Sequence, residues 1–214
     1  MTEPHHARLL ERLEELEAEL VHGLVSRLRL ARWLHRFPPR LVWATFVFVS
    51  GFATIAVLAL VATAARVPFI FPSLGPTAFL FFFRPTAPAS SPRNTLYGHA
   101  IGIACGYAAL WLTGLAQAPS AMVEGVNVAR VVAAALSLAA TGAIMVLANA
   151  AHPPAGATTL IVSLGIVTEP FHLLIVEVAV ACLTLLALAI NRLAGLDYPL
   201  WAPKRNGPPR QQGQ

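Results

Sequence analysis

The sequence predicts an all-α, polytopic transmembrane helical bundle built from two repeats of one unit, arranged as an inverted 3+3. Three observations carry that prediction. The 214 residues are 57% hydrophobic and 12% charged, whereas a soluble domain carries roughly a quarter charged residues. Residues 41–65 contain no Asp, Glu, Lys or Arg, and at about 1.5 Å per residue such a run can cross a hydrocarbon core of about 30 Å. Similar runs follow at about 96–116, 131–151 and 171–191, the last interrupted by Glu177 alone. Finally, a P-x-x-G-x-T pattern occurs twice, at Pro72–Thr77 and Pro153–Thr158, 81 residues apart.

Residues 1–37 form a separate element. Leu9, Leu13, Leu16 and Leu20 make an a/d seam flanked by Glu11, Glu14, Glu15, Glu17 and Glu19, which predicts an amphipathic, coiled-coil-like cytoplasmic helix. The alternative is a surface helix packed on its own membrane domain. Arg27, Arg29, Arg32, Arg36 and Arg40 follow with no acid among them. A sequence pI near 10.0 would also suit nucleic acid, but bases that flank hydrophobic spans orient a membrane protein and meet anionic headgroups. No cleavable signal peptide is expected, since the first apolar span follows a charged segment.

The membrane domain is expected at 38–195. Each P-x-x-G-x-T follows a long apolar run and precedes a short one, 78–83 or 159–167, and then another long one. The unit therefore reads as long helix, Pro/Gly break, short helix, long helix; the plainer alternative is that Pro and Gly punctuate two unrelated loops. If the short segments cross, there are six crossings, and the loop at 84–95 with Arg84 and Arg93 lies with both basic termini in the cytoplasm, as the positive-inside rule favours. Arg66 and Arg130 then sit near the outer face, against that rule. If the short segments re-enter, there are four crossings. Gly98, Gly102 and Gly106 recur every four residues, a stripe suited to close helix packing within a protomer or between copies of a homo-oligomer. Cys105 and Cys182 read as small packing residues. The Pro-rich stretch 196–214 is expected to be disordered.

Non-helical backbone at membrane depth must be buried in protein or reached by water. Each motif reads as a helix start, which presents unpaired N–H groups and the positive end of a dipole. Ser73, Thr77, Thr158 and Thr159 add hydroxyls beside Gly75, Gly156, Pro153 and Pro154, the chemistry of a small-anion site without a full positive charge. Capping of the short helices accounts for the same hydroxyls. Asn149 and His152 stand at the second break, and a histidine inside a membrane is costly unless it has a role: ligand donor, proton carrier or structural hydrogen-bonder. His99 and Glu177 are the further interior ionisable groups, Glu177 being either a proton site or a partner for Arg130 or His152. No metal or cofactor is expected.

Asn149 through Leu160, with Pro72 through Ala78, resembles the HPP family of integral membrane proteins, marked by His152-Pro153-Pro154. The resemblance covers about 38–195. The family is described as four-spanning, which differs from the six crossings read from charge. Plastid and cyanobacterial members are associated with nitrite transport, so the resemblance implies nitrite or a similar anion. Some bacterial members carry C-terminal CBS domains; this chain ends in a short tail, and nucleotide regulation is not expected. The expectation is thus a transporter or channel for a small monovalent anion in a bacterial-type inner membrane. A scaffold whose N-terminal helix recruits a partner is the alternative. A membrane enzyme would need a nucleophile–base or metal arrangement, and His99, His152, His172 and Glu177 are too scattered to supply one.

Overall fold

The computed structural model describes residues 29–67 and 71–203. The leucine seam expected at Leu9, Leu13, Leu16 and Leu20 lies outside the described residues. Eight α-helices are formed among those described: α1 Leu30–Leu34, α2 Pro39–Ala65, α3 Leu74–Phe83, α4 Pro92–Leu112, α5 Ala121–Glu124, α6 Val128–Leu147, α7 Ala155–Ser163 and α8 Pro170–Leu193, with a 3-10 turn at Pro88–Ser90. There is no strand among them.

Local chemistry sets the helix ends. Proline opens α2, α4 and α8, where its missing N–H costs nothing. Asn127 caps α6 by accepting from the Arg130 amide at 2.9 Å. The α2 and α6 helices both end where the chain turns left-handed, at Arg66 (φ 53°) and Asn149 (φ 48°).

Three helices, α2, α6 and α8, are long and apolar enough to cross a membrane, and the chain is an integral membrane protein. Phe48, Phe52 and Leu60 on α2 are about 70% exposed, an outward apolar face that suits lipid rather than water. The span expected at 96–116 is α4, 21 residues long. It is more polar than the others because it is enclosed by α6, α7 and α8. The short helices have 10 and 9 residues, a rise of about 15 Å each, half a hydrocarbon core. The short segment expected at 159–167 ends at Ser163.

One sequence expectation is corrected here and one is narrowed. Residues 196–203 are not a disordered tail: Tyr198 is fully buried, its phenol donates to the Ser90 carbonyl, and the Arg93 amide donates to the Trp201 carbonyl at 3.1 Å. Burial pushes the Tyr198 phenol above its ordinary pKa. Residues 204–214 lie outside the described residues. The glycine stripe, suited to packing within a protomer or between copies, is taken up inside the protomer. A Cβ at Gly98 would stand 2.7 Å from the His152 Cβ, and at Gly106 2.8 Å from the Thr159 carbonyl oxygen of α7.

Hydrogen bonds gather the ends of the elements into two groups. At one end, the Leu30 amide meets the Ala194 carbonyl at 3.0 Å, Asn191 Nδ2 meets the Phe81 carbonyl at 3.2 Å, and the Arg93 guanidinium donates to the carbonyls of Asn149 and Ala148. At the other, the Ala121 amide meets the Leu164 carbonyl at 2.9 Å, and buried Arg130 donates to Ser163 O at 3.2 Å and Pro119 O at 2.7 Å.

This accounts for Arg130, the base at odds with the charge pattern: its cation sits at the C-terminal end of α7, where the helix dipole favours it. Gly165 leaves room for it, with φ +76° and a would-be Cβ 2.9 Å from the guanidinium. Arg130→Gln, which cannot reach both carbonyls, is expected to cost about 3 kcal/mol. Thermal unfolding in detergent checks this; an unchanged midpoint would remove the bracing role.

Candidate functional site

The two motifs meet on one imidazole. Thr77 is the threonine of the first motif and lies in the opening turn of α3; Thr158 holds the same place in the second and lies in the opening turn of α7. His99, from the middle of α4, is 2.9 Å from Thr77 Oγ1 through Nε2 and 2.7 Å from Thr158 Oγ1 through Nδ1. His152 joins them, with Nε2 3.3 Å from Thr77 Oγ1 and Nδ1 2.7 Å from the Ala89 carbonyl. The imidazole centroids are 5.1 Å apart. Thr77, His99, Thr158 and His152 are all at most 1% exposed.

The hydrogen positions follow from the carbonyl, which only accepts. His152 must therefore carry its hydrogen on Nδ1. A neutral His152 then accepts at Nε2 from the Thr77 hydroxyl. With its hydrogen so used, Thr77 accepts from His99 Nε2–H, which leaves His99 Nδ1 to accept from Thr158. One direction of donation, Thr158 to His99 to Thr77 to His152 to Ala89, satisfies these four contacts with both rings neutral, the Thr77 hydrogen being shared between His152 Nε2 and the Ser73 carbonyl, each at 3.3 Å. Each added contact in such a chain polarises the next.

The other expected residues divide. Thr159 bonds to Thr141 at 3.0 Å and packs toward Gly102, beside the cluster. Ser73 is 1% exposed at the start of α3, and its hydroxyl has no hydrogen-bond partner among the described residues. Gly75 and Pro153 face outward, Pro154 and Gly156 are half-buried, and Asn149 is exposed, its carbonyl taken by Arg93. Asn149 is therefore placed at the surface end of the break and not with the histidines.

The expected free backbone N–H groups are also corrected. Those of Leu74 and Gly75 bond to Phe71 and Pro72, and those of Ala155, Gly156 and Ala157 bond to His152, Pro153 and Pro154. A tight turn before each short helix uses the amides, and the donors left to the site are hydroxyl and imidazole. Glu177 pairs with neither expected base. Arg130 is spent on carbonyls, His152 on the cluster, and Glu177 Oε2 is buried with no hydrogen-bond partner among the described residues.

Thr95 was not singled out in the sequence. Its Oγ1 lies 3.4 Å from His152 Nδ1. It stands one turn before His99 on the face that carries Gly98 and Gly102, so the helical period held the signal. Among the described residues no group of three His, Cys, Asp or Glu side chains could hold a metal.

Comparison with known proteins agrees with the motifs. Residues 37–199 match the family model described as HPP, transmembrane region. A curated transmembrane protein of Dictyostelium discoideum is 29% identical over 165 residues, 73% of this chain and 54% of that protein. The chain thus spans about half the length of that relative. No solved structure matches it significantly. The match covers the two motifs, the histidine pair and all the long helices, and the chain belongs to the HPP family of integral membrane proteins.

Proposed function

We propose that this chain is a transporter or channel for a small monovalent anion, nitrite first among the candidates, which binds where the two P-x-x-G-x-T segments meet. The observation that carries the reading is His99 held between Thr77 and Thr158, the same residue of each motif. A small anion needs several short donors and no fixed cation that would hold it too tightly to leave. Hydroxyls of Thr77, Thr158 and Ser73 with the imidazoles of His99 and His152 are such a set. The cluster is closed to solvent, the form of an occluded site. Entry of an anion requires α3 or α7 to draw back from α4, freeing the hydroxyls that now bond to the rings.

The inverted 3+3 arrangement is part of this proposal, and three features support it. Each short helix packs on the long helix before it and on the last long helix of the other unit: α3 on α2 and α8, α7 on α6 and α4. The buried stripes of the opening helices correspond, Ser50, Thr54 and Leu58 on α2 with Ala133, Ser137 and Thr141 on α6. With α2 starting and α3 ending at one end of the bundle, and α6 starting and α7 ending at the other, each break with its short helix completes a crossing. Six passes then leave both ends of the domain on one side, the cytoplasmic one by charge. Midplane sites formed by broken helices of inverted repeats are a recurrent transporter design. With the glycine stripe filled, the homo-oligomer in this proposal forms through other surfaces.

Nitrite uptake into proteoliposomes tests the reading. Uptake no faster than in protein-free vesicles, with folded protein, would overturn it. His152→Ala is expected to lower the initial rate about tenfold or more, an effect of about 1.4 kcal/mol or more on the barrier; a rate equal to wild type would remove His152 from the site.

A further inference from the structure

The repeat has a consequence for Glu177. Both closing helices begin with proline in the first turn, α4 at Pro92 and α8 at Pro170. Aligned on those prolines, the buried faces share six positions: Thr95, Gly98, Gly102, Cys105, Gly106 and Ala109 of α4 fall on Leu173, Val176, Val180, Leu183, Thr184 and Ala187 of α8, while fully buried His99 falls on half-buried Glu177. All twelve are buried. His99 stands seven residues after Pro92, and Glu177 seven after Pro170. The two ionisable groups in the interior of these helices thus occupy one position of the repeated unit.

The site uses the first of them and, among the described residues, leaves the second without a hydrogen bond. The α8 helix packs against α2, α3 and α4. From Leu41 to Ala65, and throughout α3, there is no ionisable side chain; Arg40 is at the start of α2, the end next to the close of α8. In α4, Arg93 holds the carbonyls of Ala148 and Asn149 and lies over the Tyr97 ring. His99 holds Thr77 and Thr158, Tyr107 meets Trp111 edge-on, and Cys105 is a buried free thiol. On α8 itself, His172 lies against Phe171, Cys182 is free, and Arg192 donates to the Tyr198 carbonyl. None of these is hydrogen-bonded to Glu177, whose Oε2 is buried without a hydrogen-bond partner among the described residues.

A carboxylate without a counter-charge is costly in a membrane interior, while the neutral acid is far less so. We propose that Glu177 is the proton-coupling residue of this chain. Its carboxylate takes a proton from water on one side, forming one O–H bond, and gives it to water on the other, breaking that bond, once for each anion moved. Anion and proton then cross together with no net charge. The inference rests on the anion-transport reading and restricts it to a coupled transporter.

The test uses the full chain in liposomes with nitrite as the probe, initial rates being corrected for protein-free vesicles, which nitrous acid can itself cross. Wild type is expected to accumulate nitrite under an inward proton gradient and to exchange nitrite for nitrite without one. Glu177→Gln, nearly the same shape, is expected to lose accumulation about tenfold or more while exchange stays within about twofold. Glu177→Asp is expected to restore part of the accumulation. Accumulation by Glu177→Gln equal to wild type overturns the proposal. So does equal loss of exchange and accumulation in a variant that unfolds at the wild-type temperature. A wild type that exchanges nitrite but never accumulates it is a channel or exchanger, which overturns the coupling role and leaves the site reading standing. A wild type that moves no nitrite at all removes that reading and this inference together.

Discussion

Gly106→Ala is expected to destabilise the chain severely, while Gly142→Ala leaves it as stable or slightly more so. The new Cβ at Gly106 would stand 2.8 Å from both the Thr159 carbonyl oxygen and the Val162 Cβ. Neither atom is the end of a flexible side chain, so α4 would have to move off α7. Gly98 is similar, against the His152 Cβ at 2.7 Å; at Gly102 the neighbours are Thr159 Oγ1 at 2.8 Å and the Ala155 carbonyl at 3.0 Å. Overpacking of this kind costs about 1–3 kcal/mol at each position. The penalty is not offset in a bilayer, where close packing rather than burial from water holds helices together. Gly51 and Gly142 have nothing within 4 Å of the added methyl, and a helical glycine replaced by alanine gains about 0.5–1 kcal/mol. Thermal unfolding of the five single variants in detergent checks the contrast. Stripe variants as stable as Gly142→Ala would mean that α4 and α7 are not in close contact.

The same contact explains what could and could not be read beforehand. The long helices were legible because lipid imposes long uncharged runs, and the two breaks because proline and glycine interrupt those runs at matching places. The meeting of Thr77 and Thr158 was not legible in full. Each belongs to a visible motif, but the ring between them, His99, lies on α4, outside both motifs. Its partners are 22 and 59 residues away in the chain. Pattern locates a helix start without revealing the turn before it, and that turn uses the N–H groups. The order of residues 196–203 is hidden from composition, which averages over a segment. Tyr198, buried and bonded to Ser90, and Trp201, whose carbonyl accepts from the Arg93 amide, anchor that stretch whatever prolines follow. The proposed equivalence of His99 and Glu177 needs the start of each helix to within one residue, since a shift of one turns a helical face by about 100°.

His99→Ala is expected to abolish anion transport and to loosen the two halves of the domain at once. The imidazole is fully buried, and its loss leaves a cavity worth about 2–4 kcal/mol by analogy with other large-to-alanine changes. It also breaks the hydrogen bonds to Thr77 and Thr158, worth about 0.6 kcal/mol each in a membrane protein. Alanine alone cannot separate the bridge from the packing, but two amides can. Asparagine places a polar atom near the position of Nδ1 and so can keep Thr158; glutamine reaches the position of Nε2 and so can keep Thr77. Neither holds both threonines. If the bridge is what the site requires, both amide variants should recover much of the stability lost in His99→Ala and still transport about tenfold or more below wild type. If either amide transports at the wild-type rate, simultaneous contact with the two motifs is unnecessary, and the ring serves only to fill and cap the core. If both amides are as unstable as alanine, packing outweighs hydrogen bonding at this position, and the claim that one imidazole joins the repeats through its two nitrogens fails.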